Sequence, residues 1–266
     1  MRRFVRRKMG LFLPWLIPAG VVALWQLLGD FGLIPERTLP TPVKVAIAGV
    51  RLLLNGELVH AIGVSAVRAL TGFAIGGSIG FTLGLLNGVM PIFARLTDST
   101  VQMIRNIPHL ALIPLVIAWF GIGERAKIFL VALGVLFPIY INTLHGIRSV
   151  DPGLIEMGRV YGLRGWELHC KVVLPGALPS VLVGVRFSLG FMWLTLIVAE
   201  TIAADSGIGY TAMNAREFFQ LDVVVLCILL YALLGKLSDL IAKGLEKRWL
   251  KWHPHFGVRS SSTTPS

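Results

Sequence analysis

The residues of this chain that could carry a function are the charged and strongly polar side chains that interrupt apolar sequence. Arg186 and Glu200 are the charges set most deeply among apolar residues. An ionisable group within lipid is costly and is a functional candidate by default. Both residues also lie near the ends of their apolar stretches, where a long side chain can reach water instead. Both interpretations stay open at this point.

The sequence predicts no arrangement of side chains that could catalyse a reaction. A phosphate-binding loop needs a glycine, four residues and then Gly-Lys followed by Ser or Thr. The only Gly-Lys pair is Gly235-Lys236, which Leu237 follows within apolar sequence. The six histidines are scattered, and no metal-ligand cluster or nucleophile-base set is found. We therefore predict a protein that is not an enzyme, with neither a metal nor a cofactor of its own.

The composition predicts that these side chains stand in lipid. Mean hydropathy is +0.75, and the 266 residues are 55% hydrophobic but only 15% charged, against about 25% in soluble domains. The net charge of +11 comes from basic residues that flank apolar runs. Anionic lipid and the positive-inside rule explain that pattern better than a nucleic-acid partner. The predicted fold is an all-α polytopic membrane protein.

Six stretches are long enough to cross a bilayer, for which about 20 apolar residues suffice. The predicted spans are 11–29, 67–88, 104–121, 127–146, 181–203 and 222–243. They form a transmembrane domain over 11–250, preceded by a basic arm over 1–10 and followed by a polar, disordered tail over 251–266. Basic residues concentrate in the arm, the tail and the loop 148–180. This bias places those segments and both termini in the cytoplasm.

Glycines four residues apart run along the second span: Gly72, Gly76, Gly80, Gly84 and Gly88. Glycines at this spacing form a groove on one helix flank that lets another backbone approach closely. Packing within one chain is the favoured interpretation, and a contact between two copies is the alternative.

Prolines interrupt several spans, and the third span is also polar. Pro108 and Pro114 lie in the same stretch as Asn106 and His109. Each proline frees a carbonyl that a neighbouring helix or a watery cavity must satisfy. A polar, kinked helix suits a translocation path, although an ordinary kink in a packed bundle is an equal alternative. The candidates for such a path are Asn106, Pro108, His109, Asn142, Arg186 and Glu200.

The loop 148–180 is predicted to contain two short helices. The first covers about 152–161 and is closed by Gly162, a favourable residue after a helix C-terminus. The second begins near Trp166 and ends before Leu174-Pro175. Such a loop suits docking into a groove of a partner, and a surface loop without a partner is the alternative.

The same loop resembles the signature of the membrane subunits of bacterial binding-protein-dependent ABC importers. That signature reads Glu-Ala-Ala, three residues, Gly, nine residues, Ile, any residue, Leu, Pro. The matching residues are Glu156, Gly162, Leu174 and Pro175, with Val172 at the Ile position and Met157 and Gly158 in place of the alanines. The strings RNIPHLALIPLVIAWFGIGE, FPIYINTLHGIR and WLTLIVAETI resemble the nitrate, sulfonate and taurine branch, nearest to aliphatic sulfonate permeases.

This resemblance implies a type I importer permease in the bacterial inner (plasma) membrane that works as a homodimer by alternating access. It implies two ATPase subunits, which hold ATP and Mg and dock on the loop around Glu156. It also implies an external binding protein, periplasmic or lipid-anchored, and aliphatic sulfonates as cargo. Taurine, nitrate or a vitamin precursor are alternative cargoes. A stand-alone secondary transporter or channel, or a scaffold without transport, are the rival functions.

Overall fold

The computed structural model describes residues 2–250 and 252, with side chains from residue 16 onward except at residue 203. The predicted tail over 251–266 therefore lies outside the described residues apart from Trp252, and so do the side chains of the arm over 1–10. Within residues 2–250 all regular structure is helical. The α-helices are α1 Arg2–Asp30, α2 Pro42–Leu54, α3 Glu57–Val89, α4 Pro91–Arg105, α5 Ile113–Phe120, α6 Glu124–Arg148, α7 Pro152–Val160, α8 Gly165–Leu168, α9 Leu174–Ala203, α10 Ile208–Glu217 and α11 Leu221–Trp249.

Four helical stretches of the described chain are long and apolar enough to cross a bilayer. They are α3, α6, α11 and the run Gly165–Ile202, which joins α8 to α9. A further span arises if α4 and the segment His109–Phe120 are taken together across their 79° bend. Leu16–Asp30 within α1 is a shorter apolar helix. The protein is thus polytopic, and the division into six spans stays a prediction.

The third predicted span, 104–121, is not one kinked helix. Helix α4 ends at Arg105, and a 3-10 turn over His109–Leu112 leads into α5. Pro108 has no amide to donate, and it disfavours helical geometry at the residue before it. The chain therefore breaks fully at 106–108, where a bend was predicted.

The second predicted helix of the loop 148–180 does not stop before Leu174-Pro175. A π-helical turn over His169–Val173 joins α8 to α9 without interruption. The Leu174 amide donates to the His169 carbonyl, five residues back. Pro175 is the second residue of α9, and in a regular helix its ring would clash with the carbonyl four residues back. The prediction of a helix end was wrong because the wider turn accommodates the proline.

The described residues form two compact units. The first unit holds residues up to 63 together with 206–230. Its helix α2 buries Val45, Ala48 and Leu52, and Gly49 packs closely against Leu226 of α11. The second unit, residues 64–205 with 231 onward, contains all of the predicted site residues and is called the core unit below.

The glycine series of α3 packs against α6 within the core unit. A Cβ atom added at Gly76 would lie 2.0 Å from the Ala132 carbonyl oxygen, and one at Gly80 would lie 2.3 Å from that of Leu136. The remaining members meet Val131, Tyr140, Thr143 and Ile147 in the same manner. The structure therefore uses the series for packing inside one chain.

The other side of α6 packs on α9. Ser180 Oγ donates to the Asn142 carbonyl at 2.8 Å, and Ser188 Oγ donates to the Val135 carbonyl at 3.2 Å. Gly146 lies directly against the Ala177 carbonyl. Close backbone approach and hydroxyl hydrogen bonds are the main forces between helices in lipid, where the hydrophobic effect is lost. Helix α6 is thus the centre of the core unit.

We predict that Gly76→Ala lowers the free energy of unfolding by about 1–3 kcal/mol, as is typical of overpacking. The physical reason is the overlap with the α6 backbone. Gly63→Ala on the same helix is the control, because an added Cβ there meets nothing within 4 Å. Thermal unfolding of the purified protein in detergent measures both variants, and equal melting temperatures would contradict this packing.

Candidate functional site

Helix α7 carries the residues of the predicted docking loop, and its ends follow from local chemistry. Asp151 caps the N-terminus, since its side chain accepts a hydrogen bond of 2.8 Å from the Gly153 amide. Pro152 occupies the first helical position, where its missing amide costs nothing. At the other end the Leu163 amide donates to the Gly158 carbonyl at 3.0 Å. Gly162 adopts a φ of 86°, the left-handed conformation of this cap.

The inner face of α7 is anchored to the ends of α6 and α9. Gly158 is buried, and a Cβ atom added there would lie 2.7 Å from Leu168 and 3.1 Å from Val172. Ile155 packs on a buried cluster, whose members are Ile147, Val150, Val173 and Ala177. The glycine found where the signature has alanine thus serves close contact with the turn that leads into α9.

The outer surface of α7 and of the turn after it exposes several large apolar side chains together with the charges of Glu156, Arg159 and Arg164. Val160 and Tyr161 are 86% and 79% exposed, and Glu156 is exposed beside them. We call this surface the docking face; it comprises Leu154, Glu156, Met157, Val160, Tyr161 and Trp166. Exposed apolar groups gathered on one surface are typical of a contact site.

A second polar site is built around Glu200 of α9, which is 1% exposed. Its carboxylate accepts hydrogen bonds of 2.8 Å from Ser65 Oγ, Arg68 Nη1 and Tyr231 Oη. Glu200 therefore does not reach toward water as one sequence interpretation allowed. Its carboxylate links α9 to α3 and α11 instead.

Arg68 connects this carboxylate to the start of α6. Its Nε donates to Glu124 at 2.5 Å, and Lys127 Nζ donates to the same carboxylate at 3.0 Å. Arg68 and Lys127 are 2% and 1% exposed, while Asp205 lies 3.7 Å from Lys127. The buried cations are thus compensated by carboxylates, as burial of charge requires. We call Arg68, Glu124, Lys127, Glu200 and Asp205 the charged cluster.

The sequence reasoning missed most of the charged cluster. Arg68 and Lys127 each stand at the edge of an apolar run, where a basic residue that merely flanks a span is expected. A usable signal was present, since a buried Glu200 needs a cation from another span. Pairing the charges at span ends with one another would have found Arg68.

The other candidates for a translocation path lie in different surroundings. Asn106 and Pro108 are exposed at the break after α4. Asn142 Nδ2 donates to the Pro138 carbonyl at 2.8 Å within α6. His109 contacts Thr195 Oγ1 at 3.1 Å, and its ring centroid lies 6.2 Å from that of Phe191.

Arg186 faces an open groove between α9 and α11. Its Nε donates to Asp239 Oδ1 at 2.6 Å. The groove has a volume of about 530 Å³ and is lined by Val183, Arg186, Phe187, Gly190, Phe191, Leu194, Gly235 and Asp239. Among the six candidates, only Arg186 lines it directly, and His109 touches its wall through Phe191.

Membrane-length helices joined by buried polar contacts define a polytopic helical membrane protein. Residues 76–251 match the family described as the inner membrane component of binding-protein-dependent transport systems. The chain belongs to that family. It is accordingly a permease component of the inner membrane.

Relatives of this chain cover nearly its whole length. A protein of Escherichia coli K12 named as aliphatic sulfonates transport permease SsuC is 60% identical, over 94% of this chain and 95% of its own. A Bacillus subtilis 168 protein of the same name is 43% identical, over 93% and 90%. The crystal structure of an amino acid ABC transporter with histidines matches 76% of this chain and 96% of its own, with a TM-score of 0.62 at 15% identity. The fold is that of a type I ABC importer permease.

We predict that Glu200→Ala lowers the free energy of unfolding by about 3–5 kcal/mol, because it leaves Arg68 buried beside one carboxylate fewer. Tyr231→Phe removes one hydrogen bond from the same carboxylate and should cost about 1 kcal/mol. Unfolding of both variants in detergent measures the difference. Losses of equal size would show that the carboxylate does not compensate Arg68.

Proposed function

We propose that this chain is the membrane subunit of an ATP-driven importer that carries aliphatic sulfonates across the inner membrane by alternating access. The observation that carries the proposal is the 60% identity, along nearly all of both chains, to a permease named for aliphatic sulfonates. A second relative, 43% identical, bears the same name. Taurine, nitrate and a vitamin precursor, the alternative cargoes, have no comparable support.

Energy enters through the docking face in this proposal. A separate ATPase subunit, which holds ATP and Mg, binds there, and this chain hydrolyses nothing. The exposed side chains of Val160 and Tyr161 support such a contact, because burying them against a partner protein is favourable in water. The working assembly holds two copies of this chain, two ATPase subunits and an external binding protein that is periplasmic or lipid-anchored.

The helical run from Gly165 to Ile202 transmits the motion. ATP binding closes the ATPase pair and draws the two docking faces together, and α9 follows because no loop separates it from α8. The bundle then opens outward, receives cargo from the binding protein and returns after hydrolysis. The docking free energy must differ between the two ATPase states, since a ligand with equal affinity for both shifts nothing.

Reconstitution into liposomes with the ATPase and binding protein tests the function. The proposal predicts uptake of an alkanesulfonate only when ATP is supplied. Uptake without ATP would identify a secondary transporter or channel. No flux of any cargo would identify a scaffold.

We predict that Gly162→Glu abolishes copurification of the ATPase subunit while membrane insertion persists. A side chain at this positive φ strains the cap and adds a charge beside the docking face. Gly56→Glu is the matched control, because Gly56 has a φ of 77° outside the loop and an added Cβ there also meets nothing within 4 Å. The ATPase should copurify with that control. Full copurification with Gly162→Glu would remove the docking face from the mechanism.

A further inference from the structure

The groove between α9 and α11 has a charged end and an apolar end. Arg186 and Asp239 stand near the first, about one helical turn from Val183, and Leu194 stands at the other. At 1.5 Å of rise per residue, Arg186 and Leu194 are about 12 Å apart along α9. The groove therefore extends along α9 from a charged side chain to an apolar one.

The walls of the groove are aromatic and aliphatic. The ring centroids of Phe187 and Phe191 lie 5.1 Å apart, and Phe187 and Leu194 are 58% and 64% exposed. Gly190 and Gly235 leave the space open, since a Cβ atom added at either would meet nothing within 4 Å. An apolar chain can therefore lie along α9 without displacing any side chain.

The charged end carries an excess of positive charge. Asp239 is shared by Arg186 at 2.6 Å, Lys243 at 2.8 Å and Lys236 at 3.9 Å. The only other carboxylate within 4 Å of these cations, among the described residues, is that of Glu246, 4.0 Å from Arg186 Nη1. Three cations thus face two carboxylates. The hydrogen bond to Asp239 engages the Nε of Arg186, and a guanidinium has four more N–H donors for an anion.

We propose that this groove is a cargo subsite for an anion with an apolar tail. The sulfonate group lies at the Nη donors of Arg186, and the alkyl chain lies along Phe187, Phe191 and Leu194. This assignment rests on the proposed function and deepens it. Charge complementarity selects such a ligand over a neutral solute, and each buried methylene adds roughly fourfold in affinity.

Filling the groove tests the tail contact. Gly190→Leu adds a side chain to the open space, so the ratio of octanesulfonate to ethanesulfonate uptake should fall by about 15-fold or more, the equivalent of two or three buried methylenes. The measurement uses proteoliposomes of the full complex with an unaltered binding protein. Gly244→Leu is the matched control, because Gly244 lies on α11 outside the groove and also has nothing within 4 Å of an added Cβ. Its ratio should equal that of the natural chain.

Changing the cation tests the head contact. Arg186→Gln should lower the uptake of both sulfonates by a similar factor, with Arg186→Lys in between, while the loaded binding protein still stimulates ATP hydrolysis. If Gly190→Leu leaves the ratio of octanesulfonate to ethanesulfonate uptake unchanged, the cargo does not lie in this groove and the proposal is wrong. A lipid or a second copy of the chain would then be what covers the groove. Failure of the proposed function is distinct, since the natural chain would then take up neither sulfonate.

Discussion

A hydrogen bond from the Leu174 amide to the His169 carbonyl keeps the chain helical where Pro175 would otherwise end it. Because of this π-turn, α8 and α9 form one helical run of 38 residues, Gly165–Ile202. One end of the run touches α7 through Leu168 and Val172. The rest of the run contains Arg186 and Glu200 and forms one wall of the groove. The residues that touch α7 and those beside the groove therefore belong to one continuous helical run, with no loop between them.

The second constraint is the central position of α6 in the core unit. In lipid, helices gain little from burying apolar surface against one another, so contact depends on close backbones and hydrogen bonds. The α3 glycines on one side of α6 and the hydroxyls of Ser180 and Ser188 on the other supply both. The charged cluster adds an ionic link from Arg68 to Glu124 and Glu200. Removing one partner from such a link lowers stability strongly, because it leaves a buried charge without its counter-charge.

Much of this structure follows from patterns that the sequence displays. The apolar runs predict the long helices, and the glycine period predicts the contact of α3. Gly162 predicts where α7 ends. These predictions succeed because each depends on local chemistry or on the period of one helix.

The failures have a common physical cause, since they concern contacts between distant segments or choices that a proline leaves open. The helix ends before Pro108, whereas it continues through Pro175 because a π-turn precedes that proline. The helix preference of proline alone does not distinguish the two outcomes. The partners of Glu200 come from α3 and α11, far away in sequence. The groove beside Arg186 depends on the pairing of α9 with α11, which hydropathy does not specify.

The central claim, that the docking face meets a cytoplasmic ATPase, is tested most directly by the position of Cys170. This cysteine is exposed in the π-turn between α8 and α9, whereas Cys227 is buried. A membrane-impermeant maleimide should label Cys170 in inside-out vesicles and leave it unlabelled in right-side-out vesicles, with Cys170→Ser as the blank. Labelling of Cys170 in right-side-out vesicles would place the docking face outside and contradict the account.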